Sequence, residues 1–141
     1  MQFNKTTEYT LRILSFMSLN ESDLYSAIDL SEKLKIPYRY LRKQMIMLSK
    51  QGFIESTQGK QGGYKIAKAL TDISLLDIVN ATEDYTKENM CFFGFQECPL
   101  QNHCSMHDKW GEVRDKTFEI LKTTTLFDLK QENSTINLTI N

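Results

Sequence analysis

All three cysteines of the chain and both of its histidines fall within seventeen consecutive residues, from Cys91 to His107. Six residues separate Cys91 from Cys98, five separate Cys98 from Cys104, and two separate Cys104 from His107. Cysteines that act only as small apolar residues would scatter along a chain. Their clustering therefore indicates joint action, and because an odd number cannot pair fully in disulfides, metal binding or thiol chemistry is favoured.

The spacing is unlike that of a zinc knuckle, in which cysteines are paired two to four residues apart. Longer gaps on an irregular loop favour a larger group, such as an iron–sulfur cluster held by thiolates. We predict that Cys91, Cys98 and Cys104 are ligands and that His107 is the fourth, since imidazole can replace a thiolate. His103 directly precedes Cys104 and is predicted to be a surface residue. A structural zinc site with three cysteines and one histidine is the alternative.

The elements that precede this stretch are three predicted helices and a hairpin. In the first helix, residues 4–19, apolar residues recur with a helical period. The second begins after Ser26, a good N-cap, and the third runs from Pro37 to about Gln51, with Leu41, Met45 and Leu48 facing inward. Strands at 53–57 and 64–67 flank a glycine-rich turn. This order predicts a mainly α fold, a winged helix-turn-helix of three helices with a β-hairpin wing.

A second group of helices is predicted after the wing. Ser74 is expected to cap a short helix that ends near Ala81, and a long helix is expected from Ser105 to about Lys122, with one further turn at 125–129. The long C-terminal helix carries a narrow apolar seam, which favours a partner helix, and a second copy of the chain is the simplest partner. The seam consists of Trp110, Val113, Thr117, Ile120 and Leu121.

The 141 residues suit one small domain with an appendage. We predict a winged helix-turn-helix domain at 1–70, a short helix and cysteine-rich cluster loop at 71–104, a dimerisation helix at 105–130 and a flexible tail at 131–141. The start of the chain lacks a signal-peptide pattern, and no apolar run is long enough to cross a bilayer, so a cytoplasmic protein without membrane contact is expected.

Charge is divided unevenly along the chain. Residues 1–70 contain 11 Lys or Arg and 6 Asp or Glu, whereas residues 71–141 contain 6 and 12. A basic half joined to an acidic half indicates that the first half meets an anion, and its predicted fold indicates double-stranded DNA. A helix that enters the major groove needs long hydrogen-bond donors, and a wing needs donors beside small residues. The predicted DNA-binding residues are Tyr38, Arg39, Tyr40, Arg42 and Lys43 on the third helix and Gln58, Lys60 and Gln61 on the wing.

Four pieces of the chain together resemble the Rrf2 family of bacterial transcription regulators, over roughly residues 1–130. They are the start MQFNKTTEYTLRIL, the helix-turn-helix with IPYRYLRKQMIMLSKQGFI, the wing QGKQGGY, and the three-cysteine loop followed by His107 and Trp110. The resemblance implies a homodimer on a pseudo-palindromic operator and an iron–sulfur cluster, 2Fe–2S in preference to 4Fe–4S, that tunes DNA affinity. Gln58 departs from the arginine that commonly opens the family's wing.

The resemblance also supplies an alternative fourth ligand. In nitric-oxide-sensing members a carboxylate near the start of the chain, from the partner subunit, completes the cluster, and Glu8 stands at that place here. The function predicted is therefore a homodimeric DNA-binding regulator, not an enzyme, that senses redox state, nitric oxide or iron–sulfur supply. The alternatives are a regulator with a structural zinc site and an electron carrier or thiol enzyme. The last of these leaves the basic helix and the wing without a purpose.

Overall fold

The computed structural model describes residues 3–83, 91–95 and 98–133. Within them it contains six α-helices and an antiparallel hairpin, which confirms the predicted mainly α winged helix-turn-helix. The elements are α1 (Lys5–Ser18), α2 (Ala27–Leu34), α3 (Tyr38–Lys50), β1 (Ile54–Thr57), β2 (Gly63–Ile66), α4 (Leu75–Asn80), α5 (Ser105–Thr123) and α6 (Leu126–Asn133). Among the described residues, no helix combines the length and apolar content that a membrane crossing requires.

Helices α2 and α4 begin where polar side chains replace missing backbone hydrogen bonds. The Ser26 side chain accepts a hydrogen bond from the Asp29 amide at 3.1 Å, and Ser74 and Asp77 form a reciprocal capping box. Both predicted serine caps are therefore confirmed, and each satisfies an amide that the helix leaves unpaired. Helix α2 ends at Lys35, whose φ of 54° lies in the left-handed region.

One apolar core joins the first three helices, the wing and the last helix. Leu41, Met45 and Leu48 of α3 are fully buried, as their spacing predicted. Leu126 at the start of α6 is fully buried in the same core, and α6 packs against α1. The sequence predicted only one turn here, whereas α6 has eight residues; the rest of the predicted tail, from residue 134, lies outside the described residues. Leu30 and Leu34 of α2 are buried in the core, whereas Ile28 on the same helix is 51% exposed.

The wing is a regular hairpin that is attached to the helical core. Residues Ile54 to Thr57 pair in antiparallel register with Ile66 to Gly63. A Cβ on Gly62 would lie 2.0 Å from the Thr57 carbonyl oxygen, so the turn itself requires glycine at this position. Tyr64 exchanges two backbone hydrogen bonds of 2.8 Å with Tyr25, the residue before the α2 cap, and this fixes the wing to the helix-turn-helix.

The long helix α5 returns to the core only at its C-terminal end. The Leu75 amide donates to the Thr124 carbonyl at 2.9 Å, and the Leu126 amide donates to the Ile73 carbonyl at 3.0 Å. Just before this junction, Leu121 packs against Val79 of α4. Leu121 was predicted to belong to the intermolecular seam, but its apolar surface is covered within the chain.

Candidate nucleic-acid interface and metal site

The exposed face of α3 carries the basic residues that the sequence singled out. Arg39, Arg42 and Lys43 are all exposed, because the buried stripe of this helix lies on its opposite face. Lys50 extends the same surface at the end of the helix and is exposed as well. Gln44 is a buried polar residue on this helix, only 4% exposed, and the apolar periodicity did not predict its burial.

The two tyrosines at the head of α3 differ in how they are held. Tyr38 is 44% exposed. The Tyr40 hydroxyl lies 2.6 Å from the Thr6 hydroxyl of α1, and its ring meets the ring of Tyr9 edge to face at 5.4 Å. Tyr40 therefore orients the head of α3 against α1, a role that its place in the sequence did not reveal.

The wing residues predicted to contact DNA lie at the tip of the hairpin. Gln58, Lys60 and Gln61 are all exposed. They are flanked by Gly59, whose φ of 106° favours glycine, and by Gly62, which the turn requires. The exposed face of α3 and the tip of the wing thus present long donors on the two elements with which winged helices contact duplex DNA.

The four predicted metal ligands line one cavity of about 150 Å³ at the start of α5. Cys91 and Cys104 are partly buried, Cys98 is exposed, and none of the three forms a disulfide. His107 lies in the first turn of α5, where its amide bonds to the Cys104 carbonyl at 3.0 Å. The rest of the lining is largely apolar: Phe92, Phe93, Phe95, Pro99, Leu100, Met106, Trp110 and Arg114.

The chemistry of this lining fits a thiolate-bound metal group. Free thiols and an imidazole are the ligands that iron–sulfur clusters and zinc accept. The Phe92 ring packs edge to face on Trp110 at 5.4 Å, and both rings line the cavity. Arg114 brings a positive charge to it, which complements thiolates, and sequence spacing gave no sign of this contribution. Contact with Phe92 also means that Trp110, predicted for the intermolecular seam, is partly covered within the chain.

The closest group of potential ligand atoms in the described part of the chain is His103, His107 and Asp108, within 4.8 Å of one another. His103 is exposed, as predicted, but its ring stacks on that of His107 with centroids 3.5 Å apart. Helical spacing could not predict this stacking, because His103 precedes the first residue of α5.

Glu8, the alternative ligand, lies in the first turn of α1. Its carboxylate pairs with Lys5 at 3.3 Å, and its side chain is 27% exposed. It does not contribute to the lining of the cysteine cavity of its own chain. A role for Glu8 as a ligand therefore requires the cavity of a second subunit.

A winged helix with a basic reading helix and an exposed hairpin tip defines the protein as a helix-turn-helix DNA-binding regulator. The chain belongs to the Rrf2 family, described as iron-dependent transcriptional regulators, whose model matches residues 3–132. A putative HTH-type transcriptional regulator of Aquifex aeolicus is 34% identical over 131 residues, covering 92% of this chain and 91% of that protein. The HTH-type transcriptional regulator NsrR of Geobacillus kaustophilus is 30% identical over 138 residues, covering 96% of this chain and 94% of that protein.

Solved structures share the same fold. CymR, the global cysteine regulator of B. subtilis, superposes with a TM-score of 0.80 at 21% identity, covering 94% of this chain and 98% of that one. IscR of T. potens superposes with a TM-score of 0.72 at 22% identity, covering 94% and 88%. The family and both sequence relatives are described as transcriptional regulators, in agreement with the prediction that the chain regulates transcription and is not an enzyme.

Proposed function

We propose that this regulator binds a pseudo-palindromic operator as a homodimer, and that an iron–sulfur cluster held by Cys91, Cys98, Cys104 and His107 tunes its affinity for DNA. The observation that carries the proposal is the single cavity lined by all four side chains. When bound, such a cluster supplies a centre that responds to redox state, nitric oxide or iron–sulfur supply. A 2Fe–2S cluster is proposed, since its ligation accepts histidine in place of a thiolate.

DNA is proposed to lie across the exposed face of α3 and the tip of the wing. Arg39, Arg42 and Lys43 would reach base edges or phosphates in the major groove, with Tyr38 and Tyr40 beside them. Gln58, Lys60 and Gln61 would contact the backbone at the flank of the site. Arg42→Ala should weaken operator binding by about 1–3 kcal/mol if the arginine reads a base.

A phosphate contact has a different signature. Lys60→Ala should weaken binding to operator and unrelated DNA alike and lower the slope of log affinity against log salt by about one unit. Operator binding by an Arg39/Arg42/Lys43 triple alanine variant that equals wild-type binding in low salt would contradict the placement of DNA on α3.

The homodimer is proposed to form through α5. Val113 and Ile120 lie two turns apart on this helix and are 48% and 49% exposed. Apolar side chains that recur at this spacing on a long helix pack well against a second helix. A dimer with two-fold symmetry would also present two copies of α3 to the two halves of a palindrome.

The fourth ligand is tested by reconstituting His107→Ala and Glu8→Ala separately without oxygen and recording visible spectra. His107→Ala is expected to alter or lose the wild-type bands, while Glu8→Ala keeps them. If only Glu8→Ala loses the bands, the fourth ligand is Glu8 from the first helix of a second subunit, and not His107. Cys98→Ser serves as the positive control, because it removes a proposed thiolate.

Divalent-metal binding is a second candidate, favoured by the proximity of His103, His107 and Asp108. Imidazole nitrogens and a carboxylate suit zinc at this place. A colourless protein that retains zinc after anaerobic purification, and that loses it on His103→Ala, would favour this candidate. A coloured protein whose spectrum is unchanged by His103→Ala favours the iron–sulfur cluster.

A further inference from the structure

Thr82 and Glu83, which follow α4, are hydrogen-bonded to the first turn of α1 and its N-cap. The Glu83 carboxylate accepts a hydrogen bond from the Thr7 hydroxyl at 2.5 Å and one from the Asn4 amide at 3.2 Å. The Thr82 hydroxyl lies 2.6 Å from the same Thr7 oxygen. Cys91, the first proposed ligand, follows only eight residues after Glu83 in the sequence.

The Thr7 hydroxyl lies within hydrogen-bond distance of Glu83 and also 3.0 Å from the Asn4 side-chain oxygen. The Asn4 side-chain oxygen accepts from the Thr7 amide at 2.8 Å as the N-cap of α1. The Thr82 hydroxyl can donate either to Thr7 or to the Val79 carbonyl at 3.1 Å. The bond between Thr7 and Glu83 has one direction, because an ionised carboxylate only accepts. This directs a charge-assisted hydrogen bond at the carboxylate, which also lies at the positive end of the α1 dipole. Thr7 is fully buried, so water does not compete for its hydroxyl.

The same turn of α1 holds the head of the reading helix. Thr6, next to Thr7, meets the Tyr40 hydroxyl at 2.6 Å, and Tyr9 packs on the Tyr40 ring. At the other end of α3, the Gln51 side chain donates to the Ala81 carbonyl at 3.3 Å. Residues 81–83 are therefore linked to both ends of α3, through α1 at its head and directly at its tail.

We propose that Glu83 is a positioning residue that couples the cysteine cavity to the DNA-reading helix. A displacement of Glu83, when the cavity changes its bound group, would loosen the first turn of α1 and with it the Tyr40 anchor of α3. That Glu83 responds to a metal group in the cavity rests on the proposed function. The contact route from Glu83 to α3 itself rests on the hydrogen bonds alone.

The contact route is tested by amide hydrogen exchange in the metal-free full chain. The amides of Glu8 and Leu41 bond to Asn4 and Pro37 at 3.0 and 2.9 Å and report the heads of α1 and α3. Glu83→Ala should speed exchange of both by about tenfold or more, while the amide of buried Leu48 keeps its wild-type rate. Glu83→Gln, which preserves the shape of the side chain, should give a smaller change in the same direction.

Two matched variants make this test specific. Asp72→Asn removes a charge from an exposed carboxylate and should leave both amides at wild-type rates. Thr6→Val removes only the hydrogen bond between the Thr6 and Tyr40 hydroxyls. It should therefore speed exchange of the Leu41 amide but not of the Glu8 amide. An unchanged Leu41 rate in both Glu83 variants would overturn the proposal.

The regulatory role is tested by the ratio of DNA dissociation constants between metal-free and cluster-loaded protein. Coupling between two sites commonly changes a binding affinity by about 5–150-fold, so the wild-type ratio of dissociation constants is expected within that range. Glu83→Gln should bring the ratio to less than half of the wild-type value, with the visible spectrum of the cluster unchanged. A wild-type ratio retained in this variant would overturn the coupling role. A wild-type ratio of one would instead contradict the proposed function, and the exchange result would still decide the contact route.

Discussion

The winged helix and the cysteine cavity differ in how far each is completed by the chain's own side chains. In the winged helix, apolar side chains from α1, α2, α3 and α6 are buried against one another. Around the cavity, Phe92, Phe93, Phe95 and Leu100 are each about half exposed, between 48% and 60%. Apolar groups left in water carry a free-energy cost that burial removes. The first region is therefore a closed folding unit, whereas the second leaves apolar surface exposed, which the proposed bound group and second subunit would cover.

The largest effect should come from opening the closed region. Leu41→Ala removes a fully buried side chain from α3 and should lower the free energy of unfolding by about 2–5 kcal/mol. Ile46→Ala on the same helix is the matched control, since Ile46 is 45% exposed and should cost about 0.5 kcal/mol or less. Urea denaturation followed by circular dichroism measures both. Equal costs for the two variants would mean that the winged helix is not the closed unit described.

The next effect concerns the surface that the chain leaves open. Glutamate at both Val113 and Ile120 would place charges in the proposed interface and should raise the dimer dissociation constant at least a hundredfold, about 2.7 kcal/mol. Sedimentation velocity should then show a monomer at micromolar concentration. Lys122→Glu, an exposed site on the opposite side of the same helix, is the charge control and should remain dimeric. A double variant that stays dimeric would place the interface elsewhere.

The closed region was also the more predictable one, and the reason is physical. Helical and strand periods report which side chains are buried, so Leu41, Met45 and Leu48 could be assigned from spacing alone. Serine caps act within four residues, so Ser26 and Ser74 could be found as well. Each of these signals is local, and the structure confirmed them.

Contacts between distant parts of the chain gave no such signal. Thr7 and Glu83 are 76 residues apart, and no pattern in the sequence pairs them. Leu121 fits the seam by spacing, but the structure buries it against Val79, which spacing within one helix cannot reveal. The stacking of His103 on His107 depends on where α5 begins, and helix boundaries are the least certain part of any pattern.

A smaller effect should follow from the capping box of α4, which lies between the two regions. Ser74→Ala removes the acceptor for the Asp77 amide and should destabilise the fold by about 1 kcal/mol. Ser74→Gly should cost less, because glycine leaves the amide accessible to water. Thermal unfolding measures both. If α4 belongs to the closed unit, the loss will appear as a lower midpoint of a single transition. A separate early transition would show that α4 unfolds independently with the cysteine region.

The smallest effect is a dependence on alkaline pH that belongs to the closed region alone. Tyr25 joins the wing to the helix-turn-helix, and its hydroxyl donates to the Asn20 carbonyl at 3.2 Å. Burial, and secondly the nearby negative charge of Asp23, raise the pKa of Tyr25 above its ordinary value of 10.0. Both causes disfavour the phenolate in the folded protein.

The sign of this dependence follows from proton binding in the two states. Between the unfolded and the folded pKa, the unfolded chain has lost the Tyr25 proton that the folded protein keeps, so stability falls as pH rises. The stabilisation is complete below pH 10.0 and is lost as pH rises through the folded pKa. Tyr25→Phe should therefore flatten the decline in urea midpoint as pH rises above 10.0, whereas Tyr38→Phe at an exposed site should not. If the urea midpoint of Tyr25→Phe declines with pH as the wild-type midpoint does, another titrating group causes the decline. Ionisation of Tyr25 at the wing junction would then not contribute.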